Sequence, residues 1–288
     1  MPELPEVETV RRGLEARVLG RYITSVEVRH AQVIAGPVED FEQNVRGVIR
    51  SLRRKGKAMA IELEPAAGTG PGPGSGNARR YLLVRLGMTG QLTVVPRDHP
   101  LEVHTHVRLT LENGEEIRYR DVRRFGRLRC CTPAELEAVL ATLGPDAPAM
   151  TDVEFLAALD GRRTPIKNWL LNQGRLAGIG NIYADESLFE ARVHPLTEAS
   201  RLRRPVALAL RRAVARTLRR AIAMQGTSLR DYIDIEGRPG RFRNSLKVYQ
   251  RTGQPCRRCG AKIRRIVLGG RSTHFCPHCQ PRPRRRRE

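Results

Sequence analysis

The sequence predicts an α+β chain of several domains: an N-terminal β-sandwich with packed helices, a helical domain, and a C-terminal β-hairpin zinc ribbon. Three observations carry that reading. Between Tyr22 and Cys131 short apolar runs recur with strand-like alternation, beyond Pro148 the apolar spacing turns helical, and four of the six cysteines form two Cys-x-x-Cys pairs. A length of 288 residues holds one to two domains with a sizeable core.

The first dozen residues, Met1-Pro2-Glu3-Leu4-Pro5-Glu6-Val7-Glu8-Thr9-Val10-Arg11-Arg12, read as a short lead into a helix. Pro5 suits a first helical turn, Glu6 and Glu8 suit its positive end, and Val7, Val10 and Leu14 recur at helical spacing. A small second residue permits removal of Met1, which leaves the secondary amine of Pro2 beside the Glu3 carboxylate. An α-amino group titrates near pH ~7.7 to 8.0, so such an amine is a usable nucleophile at physiological pH. Taken alone, Met-Pro-Glu is also a common start with no role.

Strands are expected at Tyr22–Val28, Ala58–Glu64, Tyr81–Leu86, Gln91–Val95 and Val103–Leu111, and Asn113-Gly114 supplies a hairpin turn before Ile117–Arg120. They predict a sandwich or a barrel with the N-terminal helix packed on it. Pro65 to Asn77 is a low-complexity insertion between two strands. Cys130 and Cys131 read as buried strand thiols.

Leu143 to Pro148 looks like a linker, and Thr151 with Glu154 forms a capping box for the next helix. Thr164-Pro165 starts another, carrying Ile166, Trp169 and Leu170. Gly174 to Asn181 is a glycine-rich turn opening onto a helix near Ile182: a phosphate site at a helix start, or a tight turn and nothing more. A long helix spans Arg204 to Met224, with its arginines read as a solvated face, and Gly226 ends it. Gly226 to Asn244 reads as a mobile loop.

Cys256 and Cys259, sixteen residues, then Cys276 and Cys279 have the spacing of one structural zinc held by four thiolates. Ile263–Leu268 and Thr273–Phe275 flank Gly269-Gly270, so the module is a hairpin, and His278 reads as surface. From Arg251 onward twelve Lys or Arg face one acid, Glu288. The whole chain carries 52 Lys and Arg against 30 Asp and Glu, a net +22. Such an excess calls for an anionic partner, with nucleic acid ahead of a membrane surface. Neither a bilayer-crossing run nor a secretion signal is present, so the expected location is cytoplasmic and nucleoid-associated.

These residues resemble the bacterial formamidopyrimidine-DNA glycosylases. The opening Met1 to Thr9, Leu86-Gly87-Met88-Thr89-Gly90, Arg123-Arg124-Phe125-Gly126, Gly178 to Glu186 and the cysteine module occur in the family's order. The resemblance implies a catalytic sandwich over 1–143, a linker at 144–150, a helix-two-turn-helix domain over 151–245 with its loop at 226–244, a zinc finger over 246–280, and a basic tail at 281–288.

It also implies activity: a monomeric bifunctional glycosylase and abasic-site lyase that excises oxidised purines from double-stranded DNA, with no small-molecule cofactor. The damaged nucleotide is extruded because its glycosidic carbon is unreachable in the stack. Pro2 matches the family's nucleophile, Glu3 its proton shuttle, and Lys57 and Arg271 the residues assigned to the two eliminations. Asn181, His104, Arg123 and Arg163 match DNA contacts, and Met88, Arg123 and Phe125 match the wedge that fills the vacated stack. Arg85, Thr105, the insertion and the tail depart from the family pattern. Two alternatives stay open: an endonuclease VIII-like enzyme for oxidised pyrimidines, and a noncatalytic zinc protein that binds duplex DNA.

Overall fold

The computed structural model describes residues 2–65 and 79–282. Met1, positions 66–78 of the low-complexity insertion and the basic tail from 283 onward lie outside the described residues. The chain divides into two compact units, Met1–Thr142 with Met224–Arg241, and Leu143–Ala223 with Phe242–Glu288.

The first unit opens with α1 (Leu4–Val18), which buries Val7, Val10, Leu14 and Val18 at helical spacing. It continues through β1 (Tyr22–Val28), α2 (Val38–Asn44), β2 (Gly47–Lys55), β3 (Ala58–Glu64), β4 (Arg80–Arg85), β5 (Gly90–Pro96), β6 (Thr105–Leu111), β7 (Glu115–Asp121), β8 (Arg127–Cys131) and α3 (Pro133–Ala141). The strands form one open antiparallel sheet, ordered β5-β7-β6-β1-β2-β3-β4-β8. At its centre β1 meets β2 through only two pairs, Tyr22 with Val48 and Ile23 with Gly47. That narrow joint separates two four-stranded halves. Leu92, Val107, Ile117 and Tyr119 from one half share a single apolar cluster with Ile49, Met59, Leu82 and Leu128 from the other. The result is the expected sandwich, made by one continuous sheet and not by a closed barrel.

β2 escapes a reading based on alternation, because its inward residues Ile49 and Leu52 stand three apart. A register shift between Ile49 and Ser51 explains this: one extra residue restores the facing. The helices α2 and α3 were also not anticipated; Thr132 and Glu135 cap α3 reciprocally.

The segment Met224–Arg241 differs from its expected place with the helical domain. Tyr232 and Ile235 enter the sandwich core, Val94 N–H donates to the Ile235 carbonyl at 3.0 Å, and a Cβ on Gly13 of α1 would lie 2.9 Å from the Ile235 side chain. Burial of these two side chains draws the segment onto the first unit.

The second unit contains α4 (Asp152–Leu159), α5 (Ile166–Leu171), α6 (Asn181–Glu190), α7 (Arg204–Ala223), β9 (Arg264–Leu268) and β10 (Arg271–Phe275). Thr151 and Glu154 cap α4 as the sequence predicts. Positions 144–150, read as a linker, are bonded into this unit, with Gly144 N–H on the Gln173 carbonyl at 2.9 Å and Ala147 N–H on that of Ala177 at 3.1 Å. Leu210, Val214 and Leu218 form the buried stripe of α7. Its Arg211 is not simply solvated: it pairs with Asp152 and donates to the Met150 carbonyl. Among the described residues no helix is long and apolar enough to cross a membrane.

One cluster ties α1 to β2. Glu8 receives Arg11 and Arg12 from its own helix and Arg54 from β2, the last at 2.9 Å. Burial opposes ionisation of Glu8, but these donors outweigh it and hold the carboxyl at about 2, below the ordinary 4.5. Because the folded value is depressed, the stabilisation is present above the unfolded value and is lost as pH falls through the folded one. Glu8→Gln is therefore expected to lower stability near neutral pH by about 1–3 kcal/mol. Thermal melts of the variant should flatten between pH 4.5 and about 2, the window in which the wild type loses this contribution.

Candidate active site and metal centre

The head of α1 is closed by two carboxylates. Glu3 is the N-cap and accepts from the Glu6 backbone, while Glu6 Oε2 accepts the Glu3 N–H at 2.8 Å. Both ends of this exchange are buried, Glu3 being 2% exposed. Pro2, also buried, immediately precedes the cap, so the first residues are held and do not trail. Glu6 has a further duty that sequence reasoning missed: its Oε1 accepts the Thr227 N–H at 2.7 Å. Gly226 permits that approach, since a Cβ there would sit 2.9 Å from the same oxygen, and its φ of +81° is one that glycine adopts freely.

Lys57 lies in the two-residue turn between β2 and β3. Gly56 takes φ +57° at the first central position of that turn, where mirror-image hairpin turns favour glycine. Arg54 joins this turn to α1, donating to Glu8 on one side and to the Gly56 carbonyl at 3.1 Å on the other.

Met88, Arg123 and Phe125 come together on two adjacent loops. The loops 86–89 and 122–126 are both crossings from one half-sheet to the other. They touch directly: a Cβ on Gly87 would meet Gly126 N at 2.5 Å. Phe125 is 55% exposed and Met88 37%, and the Arg123 guanidinium lies 4.6 Å from the centre of the Phe125 ring. Beneath them Asp121 accepts from the Thr89 hydroxyl at 2.5 Å, Gly126 N–H at 2.8 Å, the Tyr119 hydroxyl at 3.0 Å and Arg123 N–H at 3.3 Å. Burial opposes its ionisation, and these donors together hold its pKa below the ordinary value. His104 adopts φ +69°, and its carbonyl accepts the Asp121 N–H at 3.1 Å. The neighbouring His106 ring bonds the Asp121 carbonyl at 2.8 Å. Burial pushes that imidazole below its ordinary value.

In the second unit Asn181 begins α6 and donates to the Ser272 carbonyl on β10 at 2.9 Å. Arg271 stands exposed at the start of β10, after the turn in which Gly269 and Gly270 take φ +55° and +71°. A buried ion pair fixes this strand: Lys167 Nζ lies 2.6 Å from Asp185 and donates to the Ser272 carbonyl and the Thr273 hydroxyl. Asp185 accepts from His274 N–H at 2.8 Å. Asn181 and Arg271 thus sit on elements bolted together by residues whose role no spacing rule reveals. Arg163 is exposed on the connection between α4 and α5.

The four cysteine sulfurs all lie within 4.8 Å of one another. Zinc bonded to thiolates at ~2.3 Å in a tetrahedron spaces the sulfurs roughly 3.8 Å apart, and the separations of 4.0 Å for Cys256–Cys279 and 3.5 Å for Cys259–Cys276 match it. Backbone N–H groups of Arg258 and Cys279 point at Cys256 and Cys276 sulfurs, the usual support of thiolate ligands. All four ligand positions are protein sulfurs, which makes this a structural zinc, and His278 is exposed as expected.

An N-terminal sandwich whose first helix is capped by Glu3, a helical unit and a four-cysteine hairpin define a multidomain protein with a structural zinc finger. Three family models cover the chain: formamidopyrimidine-DNA glycosylase N-terminal domain over residues 1–128, its H2TH domain over 142–232, and the zinc finger found in FPG and IleRS over 253–282. The formamidopyrimidine-DNA glycosylase of Ligilactobacillus salivarius is 40% identical across 97% of this chain and 99% of its own. That of a Parafrankia species is 44% identical across 99% of each. A structure of MutM with DNA containing carbocyclic 8-oxo-G superposes with a TM-score of 0.87 at 33% identity, covering 98% of this chain and 100% of the other. The chain belongs to the formamidopyrimidine-DNA glycosylase family.

The purified protein is expected to carry one zinc per chain by atomic absorption. Cys256→Ser should release the metal and lower the melting temperature by several degrees, since structural zinc contributes directly to folding. A variant that keeps its melting temperature without zinc would contradict this.

Proposed function

We propose that the chain excises oxidised purines from duplex DNA and then cuts the strand on both sides of the exposed sugar. The observation that carries the reading is the buried Pro2–Glu3 pair fixed at the head of α1 by the reciprocal Glu3–Glu6 cap. A nucleophile needs a fixed position more than unusual reactivity, because orientation supplies much of the rate. With Met1 removed, the Pro2 nitrogen is a free secondary amine at the head of α1, beside the Glu3 carboxylate.

The neutral nitrogen attacks the C1′ carbon of the extruded nucleotide, and the glycosidic bond breaks with its electron pair leaving on the base. Glu3 carries protons between the attacking amine, the departing base and the opening sugar ring. The product is an iminium between Pro2 and the sugar. Loss of a C2′ proton then expels the 3′ phosphate, and a second elimination expels the 5′ phosphate, with Lys57 and Arg271 assigned to the two eliminations. Asn181, His104, Arg123 and Arg163 bind the backbone, and Met88, Arg123 and Phe125 fill the emptied stack. The exposure of Phe125 and its stacking with Arg123 support that wedge. Relatives of known structure were captured with carbocyclic 8-oxo-G DNA and, in Lactococcus lactis, with abasic-site DNA, which supports the same substrate class here. Strong net positive charge suits a protein that works on the nucleoid.

Borohydride added during turnover of an 8-oxoguanine duplex should trap a covalent adduct that maps to Pro2. Retention of Met1, or an N-terminal tag, should abolish cleavage while sparing DNA binding, because both acylate the reacting nitrogen. Glu3→Gln should slow base release by about 100-fold or more. Release of oxidised pyrimidines in preference to purines would point to the endonuclease VIII-like reading, and binding without adduct or nick to a noncatalytic one.

A further inference from the structure

Asp121 meets residues assigned to DNA only through main-chain groups, the Arg123 amide and the His104 carbonyl, yet it is fully buried, at 0% exposure. Its donors are neutral: two hydroxyls and two amides. Among the described residues it makes no ion pair. A buried carboxylate held this way is costly unless every lone pair is used, and filling space would be served equally well by an apolar side chain. The identity of the donors is informative. Thr89 belongs to the loop that carries Met88, while the Arg123 and Gly126 amides bracket the loop that carries Phe125. Thr89 reinforces the bridge by accepting the Arg123 N–H itself at 3.0 Å.

The surroundings leave these loops little freedom. The Tyr119 hydroxyl occupies the space between them so fully that a Cβ would lie 1.9 Å from it at Gly126 and 2.9 Å at Gly90. Between the two bracketing amides, Arg124 takes φ +55°, an unusual conformation for a residue with a side chain. Above this rigid base stand Met88 and Phe125, two large apolar side chains left exposed.

We propose that Asp121 is a positioning residue that locks the two crossing loops together, so that Met88, Arg123 and Phe125 are presented as one preformed wedge before DNA arrives. The inference rests on the glycosylase reading above and deepens it, by assigning base extrusion and not imine chemistry to this carboxylate. A preformed wedge spares the ordering that loose side chains would undergo on insertion. The requirement should therefore be strongest where a paired, stacked base must be displaced. It should be weakest at an abasic site, where there is no base to extrude.

The test compares both substrates in one set of proteins. Asp121→Asn turns one acceptor oxygen into a donor that faces other donors. It is expected to slow release of 8-oxoguanine from a paired duplex by about tenfold or more. It should also shrink the fluorescence change of a 2-aminopurine placed beside the lesion, while leaving cleavage and borohydride trapping at a preformed abasic site close to wild type. Thr89→Val removes a hydroxyl from the same bridge with little change of volume and should show the same split; it decides the matter if the Asn variant does not fold. An equal loss on both substrates would mean that Asp121 merely stabilises the fold, and no loss on either would mean that the wedge needs no such lock; each overturns the proposal. A wild-type chain that releases no base would overturn the glycosylase reading and this inference with it, whereas an active wild type with unsplit variants sinks the inference alone.

Discussion

Glu6 is the carboxylate on which the first unit depends. One of its oxygens closes the cap that holds Glu3 and fixes the direction of Pro2. The other takes the Thr227 amide and so anchors a segment more than two hundred residues later in the chain. Removing the acid would leave two backbone donors unsatisfied at one buried point, which costs more than losing two exposed hydrogen bonds. The candidate nucleophile and the 224–241 segment are therefore organised by the same side chain.

The same device recurs away from α1. Asp121 gathers the ends of two loops, and Asp185 takes the His274 amide and the Lys167 ammonium. Glu186 accepts backbone amides from Lys247, Val248 and Tyr249, although burial still pushes its carboxyl upward. In a chain with net charge +22 these four acids, Glu6, Asp121, Asp185 and Glu186, are buried and used on backbone amides and one structural cation. That placement suits a protein whose proposed partner is a polyanion. The acids define backbone positions, and the exposed Arg163 and Arg271 remain available for phosphate.

Zinc plays the corresponding part in the second unit. The strand β9 buries none of its side chains fully, and the small cluster of Cys256, Ile263 and Cys276 is completed by Phe189 and Val248. A metal joining both cysteine pairs at the base substitutes for the core that so small a module cannot build. The Lys167–Asp185 pair then fixes β10 to the helices, so that Arg271 is carried on a rigid support.

Much of this was legible in the sequence because it depends on local spacing. Alternation of Val107, Leu109 and Leu111 located β6, the Thr151–Glu154 cap located α4, and the Cys-x-x-Cys pairs located the metal, since each rule concerns residues close together in the chain. The inward face of β7 even carried a readable sign: Ile117 and Tyr119 point to the core, so Asp121, two residues on, must as well. What spacing does not contain is which distant partner meets a buried group. The register shift that hid β2, the burial of Tyr232 and Ile235 in the sandwich core, and the partners of Glu6, Asp121 and Lys167 were decided only in the folded chain. Desolvated charges and amides must find whatever complementary atom three-dimensional packing brings within reach, at any sequence separation.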